Sequence, residues 1–96
     1  MDAEIKQKWL NALRSGEYKQ GYGGLCDGTQ FCCLGVLAHI QGMSREWLER
    51  NSGSIYDFGQ DGPAAWPAYD QAEILSESND AGTSFLDLAN YIEKRL

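Results

Sequence analysis

Apolar residues recur at helical spacing at both ends of the chain. Between residues 3 and 14, Ile5, Trp9, Ala12 and Leu13 fall on one arc, with Leu10 at its margin, while Glu4, Asn11 and Arg14 point away. Asp2 is placed to cap that helix and Ser15-Gly16 to end it, glycine being free to take a positive φ. At the other end Phe85, Leu88, Ala89, Ile92 and Leu96 share one face, and Asp87, Asn90 and Lys94 the other. A helix is predicted from Phe85 to the end, opened by Ser84 and Asp87 at capping-box spacing.

The middle follows other rules. "FCCLGVLAHI", Phe31 to Ile40, predicts a second helix stopped at Gly42. At 100° per residue its apolar side chains cover nearly the whole circumference, and only Gly35 and His39 form a narrow non-apolar wedge. A helix apolar all round belongs in the middle of a protein. Cys33 then lies deep in apolar surface between Leu37 and Ile40, and Cys32 beside the wedge. Ser44 is placed to cap a short third helix, "REWLERN", with Trp47 and Leu48 inward. Residues 51–69 are irregular, with three glycines and both prolines, although "SIYDF" has the composition of a short strand. Residues 70–78 predict a fourth helix and "NDAGTS" a turn. "EYKQGYGGLCDG" predicts a short hairpin or ordered loop. The expected fold is α+β and mainly helical: one globular domain over residues 1–96, with four to five helices around the Cys-Cys helix and a small β-hairpin or short strands.

With 96 residues, 43% of them apolar, the chain can close a single core without a disulfide or metal staple. There is no apolar run of about 18 residues. "MDAEIKQKWL" lacks the basic start and apolar segment of a secretory signal. The expectation is a bacterial cytoplasmic protein, its three cysteines reduced. Charge is asymmetric: residues 1–50 hold six acids and six bases, whereas residues 51–93 hold eight acids and no Lys or Arg. That balance argues against direct nucleic-acid binding, which needs a basic face. It suits a basic protein partner, or an acidic face that keeps the protein dissolved.

The cysteines invite three chemical readings. Adjacent Cα atoms lie about 3.8 Å apart, below the disulfide range, and a reducing compartment disfavours a bond from Cys26. Cys32 and His39 face one side of the helix but are about 10 Å apart along its axis, too far to share a metal ion. The same distance denies a nucleophilic Cys32 its base, and His39 is the only histidine. The favoured reading is core thiols with no catalytic residue, no metal and no cofactor; Cys32-dependent chemistry is the minority alternative. "DFG" at Asp57 to Gly59 has no other kinase element around it. "GYGG" lacks the Lys-Ser/Thr ending of a phosphate loop. Around it, Arg14, Ser15, Lys19 and Gln20 gather donors beside a flexible backbone, with Tyr18 and Tyr22 available for stacking. Those residues make a half-site for an anionic or heterocyclic ligand, set against a plain solvated loop. Asn79, Asp80 and Ser84 could add contacts, although their ordinary role is to cap backbone N–H groups.

Three stretches, "KWLNALRSGEYKQGYGGL", "FCCLGVLAHI" and "ESNDAGTSFLDLANYIEKRL", resemble a family of small uncharacterised proteins encoded by bacteriophages and prophage-bearing bacteria. Its pattern runs W-x-x-A-L-R-S-G-x-Y-x-Q, then F-C-C-L-G-V-L, then L-N-D-x-G-x-S-F; here Ser78 stands where the family usually has leucine. The resemblance implies no enzymatic activity and no cofactor. It implies a phage accessory gene, a class that often counters host defence. Hence the expected function: a non-catalytic protein that sequesters a small nucleotide-like signal, in a preformed pocket that a homo-oligomer interface could complete. The alternatives are an acidic inhibitor of a host defence complex, of anti-CRISPR or anti-restriction type, and a structural accessory protein of the phage.

Overall fold

The computed structural model describes residues 1–51 and 62–96. The first helix, α1, is Ala3–Ser15; Asp2 caps it by accepting the Ile5 N–H at 3.0 Å, and Gly16 closes it at φ +79°. It buries Trp9, Leu10 and Leu13, so Leu10 belongs inside the arc rather than at its margin. The last helix, α5 (Phe85–Arg95), is capped by Ser84 and buries Phe85, Leu88, Ala89 and Ile92. The two ends of the chain pack together. Arg14 ties them on the outside, reaching the Glu93 carboxylate and, at 3.0 Å, the Asn90 side chain.

Between them runs a three-stranded sheet of two-residue strands: β1 (Lys19–Gln20), β2 (Cys26–Asp27) and β3 (Gln30–Phe31), in the order β1-β3-β2. The hairpin lies later than the glycine-rich segment suggested. It joins β2 to β3 through Gly28-Thr29, pairing Cys26 with Phe31 and Asp27 with Gln30, while β1 adds in parallel on the far side of β3. Two residues with a glycine at φ +63° are what so tight a reversal requires. Phe31 is therefore a strand residue, which corrects the predicted helix start. The Cys32 N–H extends the ladder to the Leu25 carbonyl at 3.2 Å, holding the chain extended one residue beyond the strand.

The central helix α2 is Cys33–Ile40, and every residue from Cys33 to Ala38 is buried. It packs against α1, the short helix α3 (Arg45–Arg50) and α4 (Tyr69–Asp80). The Trp9 indole N–H donates to the Cys33 carbonyl at 2.9 Å, so the largest core side chain also satisfies its one polar atom. Gly35 faces the sheet side of α2. A Cβ there would stand 1.8 Å from the Leu25 carbonyl oxygen, so only glycine permits the backbones to close. Helix α4 runs two residues past its predicted end, and Asn79-Asp80 are its last turn instead of a loop. Gln41 clamps Ala65 through both backbone groups, at 2.8 and 2.7 Å. The "SIYDF" strand reading lies outside the described residues. A mainly helical α+β fold with one continuous core results. Among the described residues no helix is long and apolar enough to cross a membrane.

Candidate functional site

A groove of about 420 Å³, within the range of small-ligand sites, opens where α1 hands over to β1. Past Gly16 the chain lays Glu17, Tyr18 and Lys19 beside β3. The Tyr18 ring then meets Phe31 edge-on at 5.1 Å between centroids. His39, from the last turn of α2, closes a three-ring cluster at 5.6 Å from Tyr18 and 5.2 Å from Phe31. Thr29 of the hairpin turn and Arg45, the first residue of α3, complete the lining. Phe31 is 4% exposed, so it supports the other two rings from behind and offers no bare face to a ligand.

One short hydrogen bond organises the groove: the Tyr18 hydroxyl lies 2.7 Å from His39 Nδ1. Burial, reinforced by the negative charge of Glu17, pushes the Tyr18 phenol above its ordinary pKa. A phenol kept protonated can donate to a bare Nδ1 or accept from an Nδ1–H, so the contact is satisfied in either arrangement. Lys19 and Arg45 are exposed and form no ion pair among the described residues. Two cations against the single Glu17 carboxylate make the groove net positive in a chain of net charge -6. A second depression of about 430 Å³ is lined by Tyr22, Gly23, Gly24, Cys26, Asp27 and Glu49. With two carboxylates and no base, it repels the same ligands.

On the other side of β1 the polar groups are used up. Asn79, fully buried, accepts from the Gln20 amide at 3.0 Å and from the Cys33 N–H at 3.2 Å, and donates to the Gly21 carbonyl at 2.9 Å. Gln20 also donates to the Thr83 carbonyl at 2.7 Å, and Asp80 accepts the Gly23 N–H at 2.9 Å. This seam fastens the end of α4 to the glycine segment and to the first turn of α2. Cys32 contributes as well: its Sγ is the N-cap of α2 and accepts the Gly35 N–H at 3.3 Å. Burial pushes the Cys32 thiol up to about 11 and raises Cys33 well above the ordinary range. None of the three cysteines is in a disulfide, and all three are buried. Thiols held protonated at neutral pH are poor nucleophiles.

The eight residues singled out from the sequence thus divide. Tyr18 and Lys19 line the groove. Gln20, Asn79 and Asp80 come together in the seam, bonded to protein atoms. Arg14 is taken up by α5, Ser84 caps α5 through the Asp87 N–H at 3.2 Å, and Tyr22, 57% exposed, borders the acidic depression. Thr29, Phe31, His39 and Arg45 did not emerge as site residues from the sequence. Two signals bear on them: the Asp27-Gly28 turn, which folds β3 back, and the His39 wedge on an otherwise apolar helix.

A family model described as a domain of unknown function (DUF8296) matches residues 1–73 of the 96, and the chain belongs to that family. The groove lies entirely within the matched segment, whereas Asn79 and Asp80 lie beyond it. No curated protein and no solved structure shows a significant match.

Proposed function

We propose that this DUF8296 protein is a non-catalytic binding protein for a small anionic, nucleotide-like molecule, held in the groove lined by Tyr18, Lys19, Thr29, His39 and Arg45. The observation that carries the reading is two cations, without an ion pair among the described residues, flanking a phenol–imidazole pair in a concavity of ligand size. Sequestration needs binding groups already in position, and the three packed rings hold them there. Burial of the thiols and their raised pKa values support a role without covalent catalysis. The phage-family resemblance supplies the setting, a bacterial cytoplasm in which a phage accessory protein removes a defence signal from its receptor. Mass spectrometry of small molecules released on denaturation, with calorimetric titration of mono-, di- and cyclic nucleotides, tests this. A released or titratable nucleotide is expected; neither, across the panel, removes the reading.

A second reading has an observation of its own. Asp70, Glu73, Glu77 and Asp80 recur at helical spacing along α4, within about 80° of arc at 100° per residue. Such a stripe suits a basic channel in a host defence complex, the inhibitor alternative. Capture of a host protein at low salt and its release at high salt would favour it. No capture at low salt would remove it.

A further inference from the structure

Resting on the ligand-binding reading, we infer that the groove holds the tetrahedral anionic end of its ligand, a phosphate or sulfate group. His39 joins Lys19 and Arg45 there as an imidazolium, so that binding takes up a proton. A base-stacking site would need a bare aromatic face; Phe31 at the back of this groove is covered, and the half-buried Tyr18 and His39 rings pack on it and on each other. What the groove does present is charge and donors: Lys19, Arg45, the Thr29 hydroxyl and the ring of His39. Among the described residues His39 Nε2 has no hydrogen-bond partner, and Nδ1 has one, Tyr18.

That partner makes proton uptake inexpensive. Beside the neutral imidazole the Tyr18 hydroxyl donates to Nδ1; once Nδ1 carries a proton it donates to the Tyr18 oxygen, and the hydroxyl hydrogen turns away. The incoming proton comes from solvent, Tyr18 keeps its own, and the Tyr18–His39 hydrogen bond survives. The turned hydroxyl is then free to donate to the anion, as is Nε2–H. The charged groups lining the groove around His39 are Glu17 and Lys19 from the segment entering β1 and Arg45 from α3. With neutral His39 they sum to one positive charge, and with imidazolium to two. An anion therefore favours the protonated ring, and by linkage the protonated ring favours the anion.

His39 is the only histidine, so its imidazole gives a single, unambiguous NMR signal. Inorganic sulfate, whose charge is constant across the range, is titrated into the full chain at several values between pH 5.5 and 8. Affinity is expected to rise about five- to ten-fold toward acid, the size of one added charge near a solvated surface. Saturating sulfate should move the His39 titration to higher pH by the same factor, and His39→Gln should flatten the profile. Adenosine 5′-monophosphate should bind and adenosine should not, at one pH. A flat sulfate profile, an unmoved His39 titration, or adenosine binding as well as its monophosphate would overturn the inference. The last outcome would leave the ligand-binding reading standing, whereas failure of every nucleotide to bind would remove both. Because the His39 titration is read on the unaltered protein, the inference stays testable even if His39→Gln does not fold.

Discussion

Lys19 and Gln20 are neighbours on one strand, yet they belong to two regions with opposite fates. Gln20 enters the seam, where its amide reaches Asn79 and Thr83. Lys19 lines the groove and forms no ion pair among the described residues. Successive side chains on a strand point to opposite faces, so a single step separates a structural role from a ligand-facing one. In the seam Gln20, Asn79 and Asp80 bond to protein atoms, and no buried side-chain polar atom among the described residues lacks a partner. In the groove the cations meet solvent. A cluster of polar residue types is therefore no site in itself; what distinguishes the groove is charge that no described residue pairs.

The largest effects are expected in the closed region. Gly35→Ala forces a Cβ against the Leu25 carbonyl, and neither backbone can yield cheaply. We expect a loss above about 3 kcal/mol, or no folded protein, in a urea titration. Asn79→Ala comes next. It strands the Cys33 N–H, the Gly21 carbonyl and one bond of Gln20 in a buried place, for about 2 to 4 kcal/mol. If Asn79 instead faced a ligand, the same variant would leave stability nearly unchanged.

A pH test follows, on the order of 2 kcal/mol for Cys32 alone. The neutral thiol is favoured in the folded state, so its contribution is whole below about pH 9, where an unfolded thiol titrates, and is lost as pH climbs through about 11. Stability measured from pH 8 to 11 should fall, and Cys32→Ser should lessen the slope. Within the folded protein at pH 7.5, a thiol reagent should label Cys32 and Cys33 only as fast as the chain opens. The smallest effect belongs to the open side. Lys19→Gln with Arg45→Gln should change stability by less than about 0.5 kcal/mol while weakening anion binding several-fold. Unfolding midpoints and calorimetry on one preparation separate the two effects.

Helix faces were the most legible part of the chain. The arcs of α1 and α5 and the caps at Asp2, Ser44 and Ser84 are local patterns, and each stands where the spacing put it. The apolar circumference of "CCLGVLA" likewise marked the centre of the protein. The start of α2 was not legible, because Phe31 is held in a strand by its pairing across the hairpin with Cys26 and by the parallel addition of Gln20 from before the glycine segment. Nor was the role of Asn79. It caps a helix, as asparagine commonly does, but the N–H it satisfies belongs to Cys33, 46 residues away. The groove was half legible for the same reason. Tyr18 and Lys19 are contiguous, whereas Thr29, His39 and Arg45 reach them only through the hairpin, α2 and α3.

The contrast between seam and groove is tested most directly by mapping adenosine 5′-monophosphate onto the backbone amides by heteronuclear NMR. Saturable shifts are expected to cluster at Glu17, Tyr18, Lys19, Thr29, His39 and Arg45, with Gln20, Asn79 and Asp80 unmoved. Shifts centred on Gly21 to Gly24 and Asn79-Asp80, or none anywhere at saturating ligand, would contradict it.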